Sequence, residues 1–251
     1  MKLFGVTRAL GIDWLIDTIL ILYRHPGTRK KIIYSIKKTR KHKKKTFVIG
    51  LNKTGTTTIE HALNEFGFVL GDQVIAQRLT DQLLKSKTIL RLYCLTGEAF
   101  QDVPFSLPDF YKTLDSLYPD SKFILSIRDN PDQWFKSLVS FHSKLWGNGH
   151  TPSYHQLKEL NWIRRGYALR ILQKSYGEKL YDSTTYKEVY ERHIEEVTNH
   201  FKNAPEKLLI INVSERDSYK QLCDFLGEVP LRETFKWKNK TSNTTAWQKH
   251  R

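Results

Sequence analysis

The stretch Phe47–Leu63, FVIGLNKTGTTTIEHAL, limits the fold more than any other in this 251-residue chain. An apolar, partly β-branched run from Thr46 to Leu51 reads as a buried parallel strand. From Thr56 the apolar residues Ile59, Leu63 and Phe66 recur at helical spacing. Strand, glycine-bounded loop and helix in this order form the setting of a phosphate-binding loop, because a helix N-terminus presents unpaired N–H groups and the positive end of its dipole. Gly50 and Gly55 have the spacing of G-x-x-x-x-G-K-[ST]. Thr56 stands where that motif has lysine, and the lysine comes earlier, as Lys53.

Further strands are expected at Ala99–Val103, closed by Pro104, at Lys122–Ile127 and at Lys207–Val213. Helices are expected at Pro108–Tyr118, at Pro131–Leu145 with Asn130 or Asp129 as cap, at Thr184–Phe201, and at Asp217–Leu226 stopped by Gly227. The stretch Ser153–Tyr176 is helical in pattern. Strands alternating with helices predict an α/β protein with a three-layer, P-loop-like fold, a central parallel sheet carrying helices on both faces.

Charge divides the chain. The net charge is +15, and between Gly27 and Lys45 lie ten Lys or Arg and no acid, leaving 31 basic residues to face all 26 acids. Residues 1–45 thus read as an amphipathic helix and a polybasic segment, 46–235 as the α/β domain, and 236–251 as a polar tail, a candidate to close on a nucleotide. The apolar run Ala9–Tyr23 contains Asp13 and Asp17 and is too short to span a bilayer. It suits peripheral lying on an anionic membrane surface, on the inner face of a membrane; packing on the body with a solvated charge run is an equal alternative. Cys94 and Cys223 read as buried free thiols of a reducing, cytoplasmic compartment.

KTGTTT after a strand resembles the 5′-phosphosulfate loop of sulfotransferases that use 3′-phosphoadenosine 5′-phosphosulfate (PAPS). KFILSIRDNPDQWFKSLVSF resembles their 3′-phosphate segment, and AFQDVPF and YERHIEEVTNHF leading to KLLIINVSE are similar to the bacterial-type branch. The resemblance implies in-line transfer of a sulfuryl group from PAPS, as co-substrate, to a hydroxyl or amine of a saccharide, glycolipid or small metabolite, with no metal expected. It places Asn52, Lys53, Thr54, Gly55, Thr56 and Thr57 on the 5′ side of the nucleotide and Arg128 and Ser137 on the 3′ side. Asp102 takes the place of the catalytic base, beside Lys53 as the catalytic cation. Two departures stand out. Ser137 lies nine residues after Arg128 where many members have eight, and KWKNKTSN replaces a glycine-rich closing loop, leaving Lys238, Asn239 or Lys240 as donors.

Each residue also has a plainer reading: Lys53 as a solvated loop lysine, Arg128 as a partner of Asp129, Ser137 as an ordinary helix serine, Asp102 as a brace for the turn at Pro104. His142 and His193 read as surface or helix-packing residues. Trp134 and Phe135 read as core, and Trp146, Trp162 and Tyr167 are of a kind to line an acceptor cleft. A nucleotide kinase or other phosphoryl-transfer enzyme with a degenerate loop is one alternative, although no Ser or Thr follows a lysine where magnesium would need it. A non-enzymatic polyanion binder driven by the N-terminal charge is another. It leaves Lys53 and Arg128 unexplained, and a nucleic-acid partner is not expected.

Overall fold

The computed structural model describes residues 44–236. The segment expected to form an N-terminal amphipathic helix and most of the polybasic segment lie outside them, as do Lys238, Asn239 and Lys240. Four strands, β1 (Thr46–Val48), β2 (Ala99–Phe100), β3 (Lys122–Ser126) and, last in the chain, β6 (Leu208–Ile211), form a parallel sheet in the order β2-β1-β3-β6.

Side-chain alternation along these strands builds two cores. Phe47, Ile49, Phe123 and Leu125 point to one face, Val48 and Ile124 to the other. The second face is covered by α1 (Thr56–Glu65), through the expected Ile59, Leu63 and following Phe66, and by α10 (Ser218–Leu226), which Gly227 ends at φ 75°. The first face is covered by α2 (Gln73–Arg78), α3 (Thr80–Lys85), α4 (Lys87–Cys94), α5 (Phe110–Leu117) and α9 (Ser183–Phe201). The protein is therefore α/β in three layers, a parallel sheet between helices, the P-loop-like arrangement.

Both cysteines are free and buried. Asn130, not Asp129, caps α6 (Pro131–Trp146): its side chain accepts from the Gln133 amide at 2.8 Å, with Pro131 at the first helical position. The three short helices α2 to α4 fall in a stretch whose pattern predicts no element.

Ser153–Tyr176 is not one helical run. Helix α7 (Tyr154–Glu159) and helix α8 (Tyr167–Tyr176) flank a short antiparallel pair, β4 (Asn161–Trp162) with β5 (Arg164–Arg165). The turn holds Ile163 at φ 61°, unfavourable for a β-branched residue. Tertiary contacts hold it there. Arg164 donates to Asp81 on α3 at 2.6 Å, and the Trp162 ring lies 5.2 Å from that of Trp146 and 5.7 Å from that of Tyr167. Helical spacing in the sequence carries no trace of these distant partners.

Candidate active site

The chain leaves β1 through Gly50, and only glycine fits there. A Cβ would lie 2.1 Å from Ser126 Oγ and 2.6 Å from the Ser126 carbonyl oxygen on β3. The loop then turns through two left-handed residues, Lys53 at φ 72° and Gly55 at φ 107°. A Cβ on Gly55 would meet Val213 Cγ2 at 2.5 Å. Gly55 gives α1 no side-chain cap, and the N–H groups of Gly55, Thr56 and Thr57 have no hydrogen-bond partner among the described residues. Three donors and a helix dipole thus converge on an anion-sized opening.

The loop is tied to three strand ends. Thr54 Oγ1 donates to the Leu51 carbonyl at 2.6 Å and lies 2.6 Å from Ser126 Oγ. Arg128 Nε donates to the Lys53 carbonyl at 2.7 Å, and Asn52 Nδ2 donates to Asp102 Oδ1 at 2.7 Å. Trp134 Nε1 on α6 donates to the Asn52 carbonyl at 2.9 Å.

A cavity of about 1120 Å³, its open mouth included, sits over this loop. The segments after all four parallel strands reach it: Asn52 and Lys53 after β1, Asp102 and Val103 after β2, Arg128 after β3, Val213 after β6. Ligands bind α/β sheets at this edge. Asn52, Lys53, Gly55, Thr56, Thr57, Asp102 and Arg128 all line it. Thr54 does not; its hydroxyl is spent holding the loop to β3. Ser137 does not either. It is half-buried on α6, one turn before Phe141, which does line the cavity and whose ring carries Lys53 Nζ at 4.0 Å from its centroid.

Lys53 and Arg128 make no ion pair among the described residues. Burial first, then the charges of Arg128 and Lys144, push the Lys53 ammonium down to about 8. Burial lowers the Arg128 guanidinium as well. Asp129 does not pair with the Arg128 side chain. Its carboxylate takes bonds from Asn212, Gln133 and Ser214, which hold it below the usual range. Among the described residues, the two cations of the site thus have no ion-pair partner, although the Asp129 charge acts on Arg128 from nearby.

Asp102, at φ 57°, accepts from Asn52 and from the Val103 amide, both at Oδ1. Oδ2 takes no hydrogen bond from the described residues, and burial raises the carboxyl above its usual pKa. A carboxylate held by one oxygen, with the other free and its basicity raised, is suited to accept a proton. Glu60 on α1 is also raised, by burial and then by the charge of Asp102.

Of the two readings of His142, surface or helix packing, the second holds: it is 4% exposed, stacks on Trp146 with ring centroids 4.4 Å apart, has Nδ1 3.2 Å from the Tyr181 hydroxyl, and also lines the cavity. Burial and the Lys53 charge bring its pKa to about 3, so the ring is neutral. His193 is a packing residue, its Nε2 2.9 Å from the Ile49 carbonyl. Trp146, Trp162 and Tyr167 do line the cavity, together with Gln77, Ser175 and Tyr176, which no spacing signalled.

The parallel sheet, its glycine-bounded loop and the unpaired cations beside a bare helix N-terminus define an α/β protein of the nucleotide-loop class with a site for an anionic group. The chain belongs to the sulfotransferase family: the family described as a sulfotransferase domain matches residues 45–244. It is a transferase of sulfuryl groups. No curated protein matches the chain.

Proposed function

We propose that the sulfuryl donor is PAPS and that the acceptor is a hydroxyl or amine of a saccharide, glycolipid or small metabolite. The observation that carries this reading is the pair Lys53 and Arg128, two part-buried cations that form no ion pair among the described residues, set beside the open N–H groups of Gly55, Thr56 and Thr57. A cradle that a single Cβ on Gly55 would fill fits an anionic group in close contact with backbone.

Lys53, Gly55, Thr56 and Thr57 would hold the phosphosulfate end and Arg128 the 3′-phosphate, and Asn239 or Lys240 would add donors from beyond the described residues. When bound, the nucleotide supplies the sulfuryl group and a doubly phosphorylated leaving group. Asp102 takes the acceptor's proton at Oδ2 while Asn52 and the Val103 amide hold Oδ1 in place. Lys53 keeps positive charge over the loop, the service a metal ion gives in phosphoryl transfer.

The test is calorimetric titration with 3′-phosphoadenosine 5′-phosphate (PAP) against ATP with magnesium, followed by transfer of labelled sulfate from PAPS with and without chelator. PAP binding at least tenfold tighter, with transfer surviving the chelator, supports the reading; preference for magnesium-ATP overturns it. Among the described residues no helix is long and apolar enough to cross a membrane. Residues 1–45 are proposed to lie on an anionic membrane surface, which co-sedimentation with anionic vesicles tests by comparing the full chain with one that starts at residue 44.

A further inference from the structure

Beyond the loop, the cavity wall changes character. Phe141, Leu145, Trp146, Trp162, Ile171 and Leu172, from α6, the β4–β5 pair and α8, enclose its inner part. The charged side chains that line the cavity come from the strand ends and the loop: Lys53 after β1, Asp102 after β2 and Arg128 after β3. Of these Lys53 reaches the edge of the aromatic part, with Nζ 4.0 Å from the Phe141 ring centroid, and α6, the β4–β5 pair and α8 add no acidic, lysine or arginine side chain to the wall. Arg164 and Arg170 lie nearby but both pair with Asp81, at 2.6 and 3.1 Å, and neither lines the cavity. The His142 ring, neutral and stacked on Trp146, adds no charge.

Away from the loop and the strand ends the polar groups of the lining are Gln77, Ser175, the Tyr167 and Tyr176 hydroxyls, the ring N–H groups of Trp146 and Trp162, and His142. The Tyr176 hydroxyl and Trp146 Nε1 are buried with no hydrogen-bond partner among the described residues, and Tyr176 is only 2% exposed. The Tyr167 hydroxyl already has a neighbour, Thr80 Oγ1 at 3.0 Å. Tyr176 and Asp102 line the same cavity. An unpartnered buried hydroxyl near a candidate base is unusual unless a ligand completes it.

We infer that the acceptor is a small uncharged alcohol or phenol with a flat or branched apolar body, bound with its body among the Trp146, Trp162 and Leu172 side chains and its hydroxyl between Asp102 and Tyr176. This rests on the proposed sulfuryl transfer from PAPS and selects among its three acceptor classes. A saccharide carries a hydroxyl on nearly every carbon, and this wall would leave most of them dry and unpaired, which is the strongest form of rejection a pocket offers. A carboxylated or sulfated acceptor would find no counter-charge away from the cations that face the loop. An apolar body removes its own surface and the aromatic walls from water together, the usual economy of a small-molecule pocket.

Calorimetry on the full chain saturated with PAP, using 2-naphthol, a hydroxynaphthoate of the same size and methyl glucoside as probes, tests the inference. Naphthol is expected to bind at least tenfold tighter than either of the others. Ala168→Leu, which adds bulk to the cavity wall from α8, is expected to weaken naphthol at least tenfold and to leave PAP affinity within twofold. Tyr176→Phe removes one oxygen and no packing volume, and is expected to weaken naphthol at least threefold. Equal or tighter binding of the hydroxynaphthoate or the glucoside overturns the inference, as does naphthol binding indifferent to both substitutions, or no naphthol binding by protein that binds PAP. Failure of PAP itself to bind sinks the donor reading instead, and the same probe series on nucleotide-free protein still decides the character of the chamber.

Discussion

Arg128 Nε donates to the main-chain oxygen of Lys53 at 2.7 Å, so the cation at the end of β3 holds the loop that carries the other cation. Neither side chain forms an ion pair among the described residues, yet each is placed partly through the other. Arg128→Ala is expected to remove a charge-assisted contact to the nucleotide and to loosen the loop, weakening PAP by about 100-fold or ~3 kcal/mol. Arg128→Lys is expected to leave most of that loss, because an ammonium cannot reach the Lys53 carbonyl and a phosphate with one fixed fork. Calorimetric Kd values check both.

Lys53 has a pKa near 8 because burial and two neighbouring cations oppose its charge. An arriving anion reverses that, so PAP binding is expected to take up a proton near pH 8. Above that pH the affinity should fall by up to about tenfold per unit, as the free protein loses the charge. Titration in buffers of different ionisation enthalpy reads the proton directly. A flat affinity from pH 7 to 9.5 would remove Lys53 from the nucleotide site.

The same lysine costs the fold something. Its folded pKa lies below the unfolded value of 10.5, so the unfolded chain holds the proton more tightly. The stability penalty is full below about pH 8 and is relieved as pH rises toward 10.5. Lys53→Met is therefore expected to raise Tm at pH 7 by about 2–4 °C while binding of PAP collapses.

Asp102→Asn is expected to reduce turnover about a thousand-fold and to leave PAP affinity within about twofold. Asparagine tolerates the left-handed backbone and still accepts from the Val103 amide. With the folded carboxyl raised above its unfolded pKa, activity should decline as pH falls through the raised value, where the base becomes protonated. The stability effect has the opposite sense: this carboxyl favours the folded state when protonated, at low pH, and that contribution is lost as pH rises through the raised pKa. The Asn variant is thus expected to melt no lower than the parent at pH 7. A lower Tm together with lost nucleotide binding would make Asp102 a brace for the turn.

Gly50→Ala drives a Cβ into the β3 backbone, and a stability loss above about 3 kcal/mol is expected in urea unfolding. Gly55→Ala suffers twice, from φ 107° and from the Val213 side chain. Adding Val213→Ala relieves only the contact, so it is expected to recover less than half of the loss.

Much of the fold is local and was legible. The apolar run at Thr46–Val48, the i, i+4 pairing of Ile59 with Leu63 and the Asn130-Pro131 entry to α6 are set by period and by capping chemistry, which neighbours in sequence supply. The loop's glycines were legible for the same reason, since backbone crowding and positive φ leave one choice of residue. Lys53 and Arg128 stood out because cations at the ends of buried strands have little other use there.

The partnerships were not legible. Asp102 stood out as a candidate base by the resemblance of AFQDVPF, but nothing in the sequence showed that Asn52, fifty positions earlier, holds one of its oxygens. His142 is buried because Trp146 and Tyr181 close over it. Thr54 faces inward because Ser126 waits beneath. The β4–β5 turn and the aromatic chamber arise where α6 and α8 meet, against Asp81 on a helix that no pattern announced. Sequence alone determined a parallel sheet with an anion loop, because hydrogen-bond geometry and apolar period act over a few residues. Only the tertiary structure decided how the Asp102 carboxylate is held and what kind of body fits beside it, because burial and electrostatics depend on groups that the chain brings together from far apart.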